Sequence, residues 1–233
     1  VSTKLIKRRG QKTGFGISIL TLDGEKSVLV YRGSNDYLST KDISEKEIKK
    51  VDNIFITSLV SKDNFLLFKK ILTLCKKNNK TVIFAPSISM LRDYKKEIKK
   101  LEKFFDITIM NLEEARYFTS RLDIKEVIKS LPGVVRVVSA DVNGAYGFDG
   151  DRILKIGIVP LRVIDSTGAG DTFSACFCHE FLKTNSVESA LCFATLCASL
   201  KVNHIGARFN KSLREVQSAY KKYKRYLSVK EIR

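Results

Sequence analysis

Between residues 53 and 139, short apolar runs alternate with longer stretches in which apolar residues return every three or four positions. The short runs are Asn53 to Leu59, Thr81 to Ala85 (stopped by Pro86), Ile107 to Met110 and Val134 to Ser139, and they predict strands, with Ile107 to Met110 buried. The longer periods predict helices over Phe65 to Cys75, Leu91 to Phe104, Glu113 to Thr119 and Ile124 to Leu131. Strands that alternate with helices pair in parallel and carry helices on both faces of the sheet. An α/β fold on a mostly parallel sheet is therefore expected.

Both ends depart from this alternation. Residues 13–32 read as a hairpin, Thr13 to Leu22 and Ser27 to Arg32 joined by a turn at Asp23-Gly24, and such a ribbon is suited to a lid. Ala145 to Val163 reads as a second hairpin-like region turning at Asp149-Gly150. The last third predicts helices over Asp171 to Lys183, Val187 to Lys201 and Ser212 to Tyr226. No internal repeat or low-complexity linker interrupts the chain. The expected division is a partial β lid over residues 1–36 and a nucleotide-binding and catalytic α/β domain over residues 37–233.

Composition narrows the class. A chain of 233 residues, 44% of them hydrophobic, can build one α/β domain with a full core. Its apolar runs fall short of the ~20 residues a membrane span needs, and the basic N-terminus is followed by no apolar signal core. A cytoplasmic protein without a membrane partner is expected. The five cysteines, Cys75, Cys176, Cys178, Cys192 and Cys197, share no ligand spacing and read as core thiols. A formal charge of +17 invites nucleic acid. The lysines, however, collect in runs such as Lys95-Lys96-Glu97-Ile98-Lys99-Lys100, the pattern of a solvated helix face, and a positive field equally suits an anionic nucleotide. Nucleic acid is not the expected partner.

The segment Val163-Ile164-Asp165-Ser166-Thr167-Gly168-Ala169-Gly170-Asp171-Thr172-Phe173 holds the candidate chemistry. It reads as a strand that ends, a Gly-Ala-Gly turn, and a helix of small and apolar residues beginning at Asp171. The N–H groups at a helix start and their partial positive charge suit a phosphate, and glycines let the backbone approach it. Asp171 has two readings. It can cap the helix, or it can take the proton from a hydroxyl that attacks phosphorus. Gly24-Glu25-Lys26-Ser27 lacks the spacing of a Walker loop, and His179 and His204 have no partner acid or nucleophile.

The string Asp165-Ser166-Thr167-Gly168-Ala169-Gly170-Asp171 resembles the signature of the ribokinase/PfkB carbohydrate kinase family, Asp-Thr-x-Gly-Ala-Gly-Asp ahead of a small-residue helix, with Ser166 in place of Thr. The resemblance implies a ribokinase-like three-layer sandwich with a small β lid. It also implies that Asp171 is the catalytic base at the substrate hydroxyl and that the backbone of Gly168, Ala169 and Gly170 forms an anion hole. Thr167 would lie at the nucleotide, and Asp165 would help bind a monovalent cation, K⁺.

Four further places support that resemblance. Asn111-Leu112-Glu113-Glu114 matches an Asn-x-x-Glu element that organises Mg²⁺ and its waters, although Asn111 and Glu114 also have the spacing of a capping box. Ser139 and Gly144 keep a nucleotide-contacting turn in which Asp141 replaces the usual glycine; Asp tolerates the left-handed backbone. His204-Ile205-Gly206-Ala207 is similar to a late turn that brings Gly206 to the nucleotide, or else Gly206 is an ordinary helix-ending glycine. Thr13-Gly14 and Gly33-Ser34-Asn35 match the lid strands, which makes Thr13 and Asn35 substrate-side candidates.

Val1-Ser2-Thr3-Lys4-Leu5 aligns just before the last strand of the lid, so the opening βαβ portion that grips the sugar in this family is missing. A fragment of a longer product is the favoured expectation. A naturally shortened relative, compensating by association as a homodimer or impaired in catalysis, is the alternative. The implied activity is transfer of the γ-phosphoryl group of ATP, with Mg²⁺, to a hydroxyl of a sugar or sugar-like small molecule. A nucleoside acceptor is the variant within the same family.

Overall fold

The computed structural model describes residues 10–20 and 26–232. They fall into two compact units, Val1–Ile54 with Ser58–Thr81, and Phe55–Thr57 with Val82–Arg233.

The first unit carries the expected ribbon. Strand β1 (Thr13–Leu20) pairs antiparallel with β2 (Lys26–Gly33), and Phe15 faces Tyr31 with ring centroids 5.3 Å apart. The turn expected at Asp23-Gly24 lies outside the described residues. A short helix, α1 (Glu45–Lys49), forms where no apolar period announced it. A capping box between Ser44 and Glu47 is its cause: each side chain satisfies the other residue's end of the turn. Helix α2 (Lys62–Lys77) starts at Ser61, whose hydroxyl accepts from the Asn64 N–H and donates to the Asp36 carbonyl at 2.8 Å. One face of α2 buries Phe65, Phe68, Ile71, Leu72 and Cys75, as the apolar period requires. Strand β3 (Asn53–Ile56) straddles the two units and is shorter than the run to Leu59 suggested.

The second unit is the α/β body. Its elements run β4 (Thr81–Phe84), α3 (Ile88–Lys99), β5 (Ile107–Asn111), α4 (Leu112–Thr119), α5 (Ile124–Ser130), β6 (Val135–Ser139), β7 (Ala145–Phe148), β8 (Ile153–Ile156), α6 (Ala169–Thr184), α7 (Val187–Val202), α8 (Leu213–Tyr223) and β9 (Val229–Ile232). Strands β4, β5 and β6 are parallel neighbours, and β6 to β9 continue the sheet antiparallel. The Ile56 carbonyl accepts from Ala85 at 2.9 Å beside β4.

Alternation along the strands sends side chains to two helical layers. Ile107, Ile109, Val135 and Val137 join Phe173, Phe177, Leu191 and Leu196 of α6 and α7 in one core, while α4 and α5 pack on the same strands from the other side. Helix α7 is apolar all round because it is buried all round, between α6, α8 and the sheet. Among the described residues the five cysteines form no disulfide, and burial pushes Cys178 up to about 12 and Cys192 up to about 11, the behaviour of core thiols. No helix among the described residues is long and apolar enough to cross a membrane.

Further boundaries differ from the sequence expectation. The helix expected to reach Phe104 ends at Lys99, and residues 102–104 form a separate 3₁₀ turn. The strand region expected to reach Val163 stops at Ile156; residues 157–163 are irregular, so no strand leads directly into the glycine turn. Helix α6 begins at Ala169, two residues before Asp171. The closing strand β9, four residues with charged Lys230 and Glu231 between apolar Val229 and Ile232, was not foreseen at all.

Candidate active site

The irregular chain after β8 is pinned before it reaches the glycines. The Val202 carbonyl, at the end of α7, accepts from both Ile164 (2.7 Å) and Asp165 (3.1 Å). The Asp165 carboxylate then ties two loops together: Oδ1 accepts the Thr167 N–H and Oδ2 the Gly206 N–H, each at 2.9 Å. The Thr167 hydroxyl, with the N–H groups of Thr167 and Gly206, holds this carboxyl well below its ordinary value. From the other side, the Lys201 ammonium donates to the Asp165 carbonyl at 3.0 Å.

Gly168 is the residue before α6, at φ +80°, and Ala169, Gly170 and Asp171 form the first turn. The Ala169 N–H donates to the Ser166 carbonyl at 3.1 Å and the Thr172 N–H to the Gly168 carbonyl at 3.0 Å. The N–H groups of Gly168, Gly170 and Asp171 meet no acceptor among the described residues. Open space lies over Gly170, where an added Cβ would touch nothing within 4 Å. Asp171 is exposed, and its carboxylate accepts no hydrogen bond among the described residues, so the capping reading of this side chain is not realised. Donors for an anion and an unengaged carboxylate therefore stand side by side at one helix start.

A cleft of about 400 Å³ opens beside this turn. Ala169, Gly170 and Ser166 form one part of its lining, Ser139 and Asp141 another, and Val159, Phe173 and Val202 supply apolar surface. Asp141 adopts φ +46°, the left-handed conformation expected of it. Gly144 lies outside the lining. At φ +84°, a Cβ there would run into the Ile156 carbonyl, so its glycine is accounted for by the approach of β8.

Asn111 and Ser139 are paired neighbours at the ends of β5 and β6. Asn111 forms a full capping box with Glu114: the Asn111 N–H donates to the Glu114 carboxylate at 2.9 Å, and the Glu114 N–H donates to Asn111 Oδ1 at 2.8 Å. Burial raises the Glu114 carboxyl above its ordinary value, against the lowering effect of the Asn111 and Ile88 N–H donors. The capping alternative is thus realised. An ionised carboxylate offers about four lone-pair sites, so the two backbone donors leave capacity for the waters of a hydrated Mg²⁺.

The structure thereby groups Asp165, Thr167, Gly168, Ala169, Gly170, Asp171 and Gly206 around one turn, with Ser139 across the cleft and Asn111 on the strand beside it. Thr13 and Asn35 belong to the other unit. Residues of α7 were missed by the sequence reading. Thr195 and Ser199 line the cleft, and Lys201 anchors Asp165. The available signal was a lone lysine in the otherwise small and apolar stretch Leu191 to Val202.

This layered α/β body, with a glycine turn and a helix start beside a cleft, is a ribokinase-like α/β fold. The profile of the pfkB family carbohydrate kinases matches residues 1–213, and the chain belongs to that family. It is 23% identical over 196 residues to the ribokinase of Lactococcus lactis subsp. lactis (strain IL1403), a match that covers 83% of this chain and 62% of that protein. The chain thus spans less than two thirds of that relative. Its fold is that of the adenosine kinase from Sinorhizobium meliloti (TM-score 0.78, 20% identity, 90% of this chain and 66% of that one). It is also that of the Arabidopsis thaliana ribokinase complexed with ribose and ATP (TM-score 0.74, 23% identity, 91% and 70%).

Proposed function

We propose that the chain carries the nucleotide-binding and catalytic portion of a kinase that moves the γ-phosphoryl group of ATP to a hydroxyl of a sugar or sugar-like molecule. The observation that carries this reading is the α6 start, where unengaged N–H groups of Gly168, Gly170 and Asp171 adjoin an unengaged Asp171 carboxylate. The cleft beside it, lined by Ser139, Ala169 and Gly170, has the size and apolar walls of a nucleotide site.

In the proposed reaction the acceptor O–H gives its proton to Asp171, and its oxygen forms the new bond to the γ-phosphorus as the bond to the ADP oxygen breaks. The N–H groups at the helix start stabilise the charge on the transferred phosphoryl oxygens. Mg²⁺, when bound, neutralises the ATP phosphates; Glu114 would accept hydrogen bonds from its waters, and Asn111 would hold Glu114 in place. Ser139, Thr167 and Gly206 remain candidates for nucleotide contact. Residues 1–36, with Thr13 and Asn35, are assigned to the acceptor side as a lid, and residues 37–233 to the catalytic domain. A cytoplasmic location and self-association as a homodimer belong to the same proposal.

Asp171→Asn tests it. Loss of a general base lowers turnover by roughly 10²–10⁴-fold, so steady-state assays against a panel of sugars and nucleosides should show such a drop with ATP affinity retained. Turnover within a few-fold of the parent would end the assignment. A nucleoside acceptor is the variant supported by the adenosine kinase among the structural neighbours. A second reading, a nucleotide-binding relative without turnover, is favoured by Asp141, an acidic residue of the cleft lining. ATP binding with no transfer to any acceptor in the panel would establish that reading instead.

A further inference from the structure

Among the described residues Lys201 is the only buried charged side chain, with an exposure of 0%. A charged group is expensive to bury unless it is well partnered. The partners of its Nζ are carbonyl oxygens: Asp165 at 3.0 Å and, more distantly, His204 at 3.5 Å. Backbone carbonyls turned toward one buried positive charge are the surroundings in which proteins also hold a dehydrated monovalent metal ion. Here the positive charge is covalently part of α7.

The two carbonyls belong to the two segments that shape the phosphate loop. Asp165 passes its carboxylate to the Thr167 N–H, one residue before Gly168, and to the Gly206 N–H. His204 opens the turn whose Ala207 carbonyl rests against Gly168. One ammonium thus bridges the irregular segment that enters the loop and the turn that covers it. A K⁺ ion does not fit this arrangement as a further partner of the Asp165 carbonyl, because the Lys201 ammonium, 3.0 Å from that oxygen, would repel a second cation there.

We infer that Lys201 is a positioning residue that supplies, from within the chain, the positive charge expected of a bound monovalent cation, so that the loop is ordered without K⁺. The consequence for turnover rests on the kinase reading; the consequence for stability does not.

The test is a melting comparison of the parent and Lys201→Ala in KCl, NaCl, ammonium chloride and tetramethylammonium chloride at equal ionic strength. The parent should melt at the same temperature in all four. Lys201→Ala should melt lower in tetramethylammonium and regain part of the loss in KCl or ammonium chloride. In the active protein, parent turnover should ignore K⁺, whereas the variant should lose roughly a hundredfold, the scale of a misplaced catalytic group, and recover in part with K⁺ or ammonium. A parent whose melting temperature or turnover rises in KCl over NaCl overturns the inference, as does a folded variant indifferent to the cation. Should Lys201→Ala yield no folded protein, the parent comparison decides alone: indifference supports the inference and a K⁺ requirement overturns it. Absence of phosphoryl transfer to any acceptor would count against the kinase reading and leave the melting comparison intact.

Discussion

The carbonyl of Ala207 occupies the space that a Cβ on Gly168 would need, and Gly168 itself sits at φ +80°. Two constraints fall on this one residue, the sign of its backbone angle and the approach of the turn that follows α7. Gly170, two positions on, meets neither, since open space surrounds it. The two glycines of Gly-Ala-Gly therefore serve different ends: the first permits the chain's own packing and the second leaves room for something outside the chain.

Gly168→Ala should accordingly destabilise the protein by about 1–3 kcal/mol, the scale of a left-handed non-glycine residue under strain. Gly170→Ala should leave stability unchanged or raise it by roughly 0.5–1 kcal/mol, as alanine does in a helix, and should weaken binding of an ATP analogue. Urea denaturation and nucleotide titration of both variants measure the contrast. Equal effects of the two substitutions on both readouts would remove the distinction.

Glu114 allows the capping role to be separated from the proposed metal role. Gln at this position can still accept the Asn111 N–H, so the capping box survives in Glu114→Gln. The folded-state pKa of Glu114 is raised by burial, so its contribution to stability is complete below the ordinary carboxylate range and declines as the pH rises through the raised value. Removing the charge should thus leave stability at neutral pH unchanged or higher. Turnover at limiting Mg²⁺ should nevertheless fall by roughly 10–100-fold, the cost of losing an outer-shell partner. A variant that keeps its Mg²⁺ dependence shows Glu114 to be a helix cap alone.

Much of this was legible because it is local. Alternating short runs and helical periods located β4 to β6 and α2 to α7 within a few residues, and the spacing of Asn111 and Glu114 announced a capping box that is in fact formed. The features that escaped are set by tertiary contact. Residues 157–163 carry an apolar content like that of a strand, yet no neighbouring strand pairs with them, and the chain is held instead by the Val202 carbonyl. β9 exists because β8 offers it an edge, which four residues cannot signal on their own. Lys201 looked like the polar end of a helix, since only the folded chain brings the Asp165 carbonyl to it.

Helix α7 meets the sheet at Gly147 of β7, where an added Cβ would lie 2.7 Å from Val187 Cγ1 and 3.0 Å from Leu191 Cδ1. Val187 is β-branched and has little rotamer freedom to yield. Gly147→Ala should therefore cost about 1–3 kcal/mol, the usual price of overpacking. Combining it with Val187→Ala should restore part of that loss, giving a favourable coupling of roughly 0.5–3 kcal/mol in a double-mutant cycle. Strict additivity would mean that the contact is relieved by movement of the helix as a whole.

The tie that Asp165 makes between Thr167 and Gly206 should be readable in the pH dependence of stability. Its folded-state pKa lies below the ordinary 3.8, because the Thr167 hydroxyl and the N–H groups of Thr167 and Gly206 favour the ionised form. A depressed carboxylate contributes stability that is complete above the unfolded value and is lost as the pH falls through the folded one. In Asp165→Asn one amide oxygen replaces two acceptors, and the amide NH₂ is set against an N–H donor. The variant should melt below the parent by a constant margin across roughly pH 5–8. The margin should begin to close only in the acid range below the ordinary value, where the parent carboxylate takes up its proton. A margin that widens on acidification, or one absent at neutral pH, would show that these hydrogen bonds do not hold the two loops together.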